Sequence, residues 1–206
     1  MAVTSKSEQL KNEKVSIDKW GRLFIENAVI INRNFKGEER RHPETKKIVN
    51  SKGSMNFCIA LNEEVADFLM EYRLPNDPDR TFNVQVRPAK DKDGNIIEGD
   101  PLIFIQIKVT YPEAYPKLWP EINMFSSKGQ KRLGRTPSDI FELADIDNYY
   151  INNADVKFRP RAYTMDDGRI GLSAHLHHFN FDIVEDDMNA KWGEFPVEPV
   201  GNEDDF

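Results

Sequence analysis

Residues 102–110 constrain the fold of this chain most, because apolar and polar side chains alternate along the segment. Its sequence, LIFIQIKVT, places Ile103, Ile105, Ile107 and Val109 on one face. A period of two predicts a β-strand with one buried face. Weaker versions of the pattern predict strands within 15–34 and at 55–61, 82–86, 156–163 and 170–179. The chain is therefore predicted to be mainly β.

One helix interrupts these strands. Asn62 is a suitable N-cap, Glu63 and Glu64 fall in the first turn, and Pro75 ends the segment. The turn 166–168 is predicted to join the last two strands into a hairpin. Six or more short strands, one helix and long polar loops favour a small barrel or sandwich.

Charge is divided unevenly along the chain. Residues 185–206 carry eight carboxylates and one cation, Lys191, which gives 1 − 8 = −7, the net charge of the whole protein. This segment lacks apolar periodicity, so we predict a disordered acidic tail. The expected organisation is a flexible N-terminus (1–14), one domain (15–184) and the tail (185–206), which either only increases solubility or binds a partner.

The strand at 156–163 has the clearest chemistry. Val156 and Phe158 point one way, and alternation sends cations and aromatic residues the other way, on this strand and the next. Cations neutralise phosphates and aromatic rings stack on bases, so this face is typical of a single-strand binder. A solvated sheet face is the simpler alternative. Pro160 indicates an edge strand. The outward residues predicted to bind are Lys157, Arg159, Arg161, Tyr163, His175, His177 and Phe179.

Two further segments concentrate cations. The loop 126–135 has four cations and no acid, and the stretch 33–53 reads as a long basic hairpin. Trp119, in an aromatic–proline stretch, either stacks on bases or packs on the domain. These segments add the following candidate DNA-binding residues: Lys128, Lys131, Arg132, Arg135, Lys46, Lys47, Arg33 and Trp119.

Other functional classes have weaker support. His175 and His177 could begin a zinc site of a metal-dependent nuclease, but no carboxylate or cysteine lies nearby in sequence. Nucleophile signatures and phosphate-binding glycine loops are absent, so we predict no enzyme activity, cofactor or metal. The single cysteine, Cys58, is expected in the core. No apolar run has the length of a signal peptide or membrane span, which predicts a soluble intracellular protein. A non-nucleic-acid assembly module with a cationic docking face remains the alternative.

The polar run 145–155 is followed by the strands VKFRPRAY (156–163) and GLSAHLHHF (171–179). This order resembles the single-stranded-DNA-binding proteins of tailed bacteriophages over roughly residues 17–184. The C-terminal residues Glu203, Asp204, Asp205 and Phe206 are similar to the acidic tip that these proteins share with their bacterial counterparts. The basic stretch 33–53 departs from the bacterial type.

This resemblance implies an OB-fold-like barrel of five or six strands with one helix. It also implies a non-catalytic protein that coats single-stranded DNA during phage replication, recombination and repair in the cytoplasm of an infected bacterium. Its acidic tip would recruit replication or recombination enzymes and compete with DNA for the groove. Homo-oligomerisation through an edge strand is a further expectation.

Overall fold

β-Strands dominate the structure, a computed structural model that describes residues 14–42, 45–89, 96 and 99–184. The strands are β1 (Lys14–Ile17), β2 (Leu23–Glu26), β3 (Val29–Asn34), β4 (Arg40–Arg41), β5 (Ile48–Asn50), β6 (Met55–Leu61), β7 (Gln85–Arg87), β8 (Leu102–Val109), β9 (Glu121–Ser126), β10 (Gly129–Leu133), β11 (Ile151–Thr164) and β12 (Ile170–Ile183). The helices are α1 (Glu63–Glu71) and two 3-10 segments, Pro116–Leu118 and Pro137–Asp147.

Ten strands form one mixed sheet, whose main path runs β1-β2-β11-β12-β8-β6-β3. β12 pairs in parallel with β8 around Ala174 and with β9 from His178 to Asp182. β9 takes the place of β8 along the C-terminal half of β12, and β10 pairs with β9, so the sheet branches at β12. The end strands β1 and β3 do not pair with each other in the described residues. The predicted closed five- or six-stranded barrel is therefore wrong, although the mainly β class is confirmed.

The hydrophobic core packs against this sheet and includes Val65, Ala66 and Leu69 of α1. Its centre is a series of stacked phenylalanine rings: Phe35 on Phe57 (5.5 Å between centroids), Phe57 on Phe179 (5.1 Å) and Phe179 on Phe181 (4.7 Å). The predicted helix is confirmed as α1. The side chain of Asn62 caps it, as predicted, by accepting a hydrogen bond from the Val65 amide at 2.8 Å.

Two smaller predictions have mixed outcomes. Cys58 is a buried free thiol, as expected, and burial raises its pKa to about 11. The strand predicted at 82–86 is shorter and shifted, because β7 spans only Gln85–Arg87 and Val86 is 59% exposed. Phe82 is buried and forms an isolated bridge with Leu172 instead.

The basic stretch 33–53 contains the predicted hairpin, formed by β4 and β5. Three buried asparagines fix its base. The side-chain amides of Asn34 and Asn50 both donate to the carbonyl of Glu38, at 2.9 and 2.8 Å, and Asn56 donates to the side chain of Asn50. Because buried amides without partners are costly, this network holds the hairpin in one position against β6.

Candidate nucleic-acid interface

β11 and β12 form the long antiparallel hairpin that the sequence predicts. The turn is closed by hydrogen bonds between Met165 and Arg169 at 2.8 Å and between Gly168 and Met165 at 2.9 Å. Arg159 lies opposite His175, and Arg161 opposite Ser173. Val156 and Phe158 are fully buried on the other side, so the predicted outward orientation of the β11 cations is confirmed.

Neighbouring strands extend this row across the sheet. On one side Lys108 of β8 is next to His175, and on the other Phe24 of β2 is next to Lys157. Arg22, in the turn before β2, reaches His177. We call the resulting surface the polar face; it comprises Arg22, Phe24, Lys108, Lys157, Arg159, Arg161, His175 and His177.

Sequence reasoning missed two cations of the polar face. Lys108 could have been found, because it occupies an outward position in the alternating segment 102–110. Arg22 gave no such signal, since its partner His177 lies 155 residues away.

Cations crowd on this face with little compensation. The pKa of His175 is lowered to about 4 by burial and by Lys108, Arg161 and Arg159. Burial, then Arg22 and Arg161, also lower the pKa of Arg159. Groups that disfavour positive charge on one another create a potential that favours a bound anion.

Asp18 is the acid closest to this row. Its carboxylate lies 2.6 Å from Nε of Arg22 and 3.8 Å from Nζ of Lys157. Desolvation raises its pKa, but hydrogen bonds from Arg22 and the Trp20 amide outweigh this and lower it to about 2. Asp18 is therefore ionised at neutral pH and orients Arg22, while Arg159 and Arg161 keep their charge unpaired by any carboxylate of the described residues.

A β-bulge corrects the predicted orientation of Phe179. Lys157 pairs with His178 but Phe158 pairs with Leu176, so His177 is an extra residue in β12. Beyond this bulge the alternation reverses, and Phe179 is fully buried in the aromatic core. The prediction that Phe179 points outward is therefore wrong.

Tyr163 remains half-buried, and its ring lies over Gly171 of the paired strand. A Cβ at Gly171 would come within 2.6 Å of the Tyr163 hydroxyl, so glycine is what permits this close approach. Tyr163 thus continues the row of β11 side chains but packs against its own hairpin.

Two concavities flank the polar face, and the segment 110–120 contributes to both. The first, of about 650 Å³, is lined by Lys108, Arg161 and the base of the basic hairpin. The second, of about 570 Å³, brings Arg132 and Arg135 together with His177. Lys131 projects to the opposite side of β10 and pairs with Glu142 at 3.0 Å.

Trp119 packs on the domain. Its Nε1 donates to the carbonyl of Pro112 at 3.0 Å, and its ring meets Tyr111 edge to face at 5.2 Å. An edge of the indole still lines the second concavity.

The remaining predicted residues differ in their surroundings. Arg33 donates to the carbonyls of Ile146 (2.8 Å) and Tyr149 (2.6 Å), so its half-buried guanidinium supports the 3-10 segment instead of facing solvent. Lys46 and Lys47 are exposed in the β4–β5 hairpin, and Lys128 in the β9–β10 turn. The tip residues Glu203, Asp204, Asp205 and Phe206 lie outside the described residues.

Neither a metal site nor a membrane span was found in the part of the chain that the structure describes. No three His, Cys, Asp or Glu side chains come together there in a way that could hold a metal ion. His175 bonds to Ser173 at 3.1 Å, and His177 to Arg22 and His178, both at 2.7 Å. No helix among these residues is long and apolar enough to cross a membrane.

Comparisons with known proteins gave a family match and two structural matches. A search of curated protein sequences gave no significant match. Among solved structures, the single-stranded DNA-binding protein from bacteriophage Enc34 in complex with ssDNA matches with a TM-score of 0.46 and 10% identity, over 84% of this chain and 92% of that one. A C-terminal truncation of the same phage protein matches with a TM-score of 0.46 and 11% identity, over 82% and 88%. The family model described as “Putative phage ssDNA-binding domain” matches residues 12–204. The chain therefore belongs to the phage single-stranded-DNA-binding family, whose members are non-catalytic.

Proposed function

We propose that this protein binds single-stranded DNA along its polar face and coats it during phage replication, recombination and repair. The observation that carries the proposal is the row of polar side chains across β8, β12 and β11, which includes four cations. Lys108 lies on β8 and Lys157, Arg159 and Arg161 lie on β11, with His175 of β12 between them, on the side of the sheet opposite the core. Family membership favours this function over the assembly-module alternative.

Electrostatics provide the affinity in this proposal. Strands in a sheet are about 4.8 Å apart, so Lys108 on β8 and the cations of β11, with β12 between them, present charge across about 10 Å. A phosphate backbone crossing β8, β12 and β11 would meet cations on both outer strands and release its counterions. Binding should therefore be strong at low salt and fall steeply as salt increases.

The flanking elements would widen the binding site. The β4–β5 hairpin carries Lys46 and Lys47 and is held by the asparagine network beside the first concavity. Arg135 lines the second concavity on the other flank, and so does Arg132, which pairs with Glu121 at 3.0 Å. A strand that leaves the polar face at either end would thus remain near positive charge.

The acidic tip supports a second part of the proposal, recruitment of replication or recombination enzymes. Residues 203–206 combine three carboxylates with a terminal phenylalanine, a pattern suited to a basic pocket with an apolar floor. The test is whether the full chain, but not one lacking 203–206, retains such an enzyme on a column. Equal retention of the two would refute recruitment.

The main test is fluorescence anisotropy of labelled oligo-dT and of duplex DNA with the purified full chain. We expect tight, salt-sensitive binding of oligo-dT and weaker binding of the duplex. Combined replacement of Lys157, Arg159 and Arg161 by Gln should abolish most of the oligo-dT binding. No binding by the wild type at low salt would refute the proposal and revive the assembly-module alternative.

A further inference from the structure

The turn between β1 and β2 presents an exposed tryptophan beside the polar face. Trp20 is 67% exposed. The turn is well defined, because the side chain of Asp18 accepts from the amides of Trp20 (2.9 Å) and Arg22 (3.0 Å), and Gly21 adopts φ = +73°. The indole of Trp20 is therefore held on a fixed turn and is accessible to a ligand.

Arg22 is held beside this ring. Its guanidinium carbon lies 4.4 Å from the Trp20 ring centroid, while Nε bonds to Asp18 at 2.6 Å and Nη1 to His177 at 2.7 Å. Since arginine can only donate, Nε2 of His177 accepts, and its Nδ1–H then points to Nδ1 of His178 at 2.7 Å. Nε2–H of His178 in turn faces the carboxylate of Glu121. A directed hydrogen-bond chain therefore ties Arg22 to β12 and β9.

Cations distinguish Trp20 from the other aromatic residues. Among the described residues, a lysine or arginine lies over the rings of Trp20, Phe24 and Phe104, and only Trp20 of these is exposed. Nζ of Lys19 is 4.4 Å from the Trp20 centroid. Lys19 forms no ion pair within the described residues, so a ligand can displace it, whereas Arg22 is fixed by two partners.

We propose that Trp20 is a stacking site for a nucleobase of bound single-stranded DNA, with Arg22 as the residue that positions its ring. This inference rests on the proposed function and assigns a base contact to it. The base would take the place of the Lys19 ammonium on the indole, and the freed ammonium would be available to a phosphate. Nζ of Lys157 lies 3.8 Å from the carboxylate of Asp18, so the turn is directly beside the β11 cations. Any base offers a π-face, so the site should tolerate every sequence.

The test uses a variant in which Trp20 is the only tryptophan, made by W119F and W192F. Oligo-dT should quench its fluorescence at the concentrations at which anisotropy reports binding. In the wild-type background, Trp20→Ala should weaken oligo-dT binding about 5- to 150-fold and Trp20→Phe should weaken it less. Phe141→Ala is the matched control and should leave affinity unchanged, because Phe141 is 76% exposed but lies outside the polar face and both concavities.

Anisotropy and quenching separate the two possible failures. If the wild type does not bind oligo-dT, the proposed function fails and this inference fails with it. If it binds, but Trp20 fluorescence is unchanged and Trp20→Ala binds as the wild type does, only the stacking assignment fails. Thermal unfolding of Trp20→Ala checks its fold, and a Trp20→Phe variant with wild-type stability keeps the test decisive should the alanine variant unfold.

Discussion

Arg161→Gln removes one cation from the centre of the polar face without removing a structural contact of its guanidinium. Arg161 is exposed and, with Lys108, lines the first concavity. Its strand position is fixed by the pairing with Ser173, whose hydroxyl donates to the Arg161 carbonyl at 3.1 Å, a bond that glutamine retains. The substitution should therefore change binding and leave stability nearly unchanged.

The magnitude follows from counterion release. Each cation that contacts a phosphate contributes about −0.7 to the slope of log K against log salt for single strands. If Lys108, Lys157, Arg159 and Arg161 all contact phosphates, they contribute about −2.8, and Arg161→Gln should reduce this to about −2.1. When salt is raised from about 50 to 200 mM, the factor by which affinity falls should be about 2.6 times smaller for the variant than for the wild type.

Anisotropy titrations with labelled oligo-dT at four or more salt concentrations measure this slope. Arg73→Gln is the matched control, because Arg73 is exposed just beyond α1 and is not part of the polar face. Its slope should equal that of the wild type. An unchanged slope in Arg161→Gln, or an equal reduction in Arg73→Gln, would refute the assignment of phosphate contacts to the polar face.

Three further predictions concern pH, stability and the tail. Affinity for oligo-dT should rise as the pH is lowered from about 7.5 to about 5.5, because nearby phosphates raise the depressed pKa of His175 and binding takes up protons; His175→Gln should reduce this rise. Phe179→Ala should destabilise the protein by about 3–5 kcal/mol in urea unfolding, whereas Phe141→Ala, 76% exposed, should change it by less than about 0.5 kcal/mol; equal effects would contradict the core assignment. Deletion of 203–206 should tighten oligo-dT binding if the tip competes with DNA, and unchanged affinity would argue against competition.

The local parts of the fold could be predicted from the sequence. Period-two alternation identified β6, β8, β11 and β12, and a short turn at 166–168 was enough to pair the last two. The same alternation oriented Lys157, Arg159 and Arg161 correctly, because side chains on a strand have only two faces to choose from.

Long-range features could not be predicted. The bulge at His177 depends on the pairing of β11 with β12 and reverses the face of Phe179, which no local pattern shows. The branching of the sheet depends on β12 pairing with both β8 and β9, a choice made by packing. The contact of Arg22 with His177 joins the two ends of the domain, and alternation alone could not indicate it.

Lysine footprinting shows whether DNA lies on the polar face. An amine-reactive reagent is applied to the protein with and without saturating oligo-dT, and modified lysines are identified by mass spectrometry. We predict that Lys108 and Lys157 become protected and that Lys131, on the opposite side of β10, keeps its reactivity. Protection of Lys131 with unchanged reactivity of Lys108 and Lys157 would contradict this prediction and place the DNA on another surface.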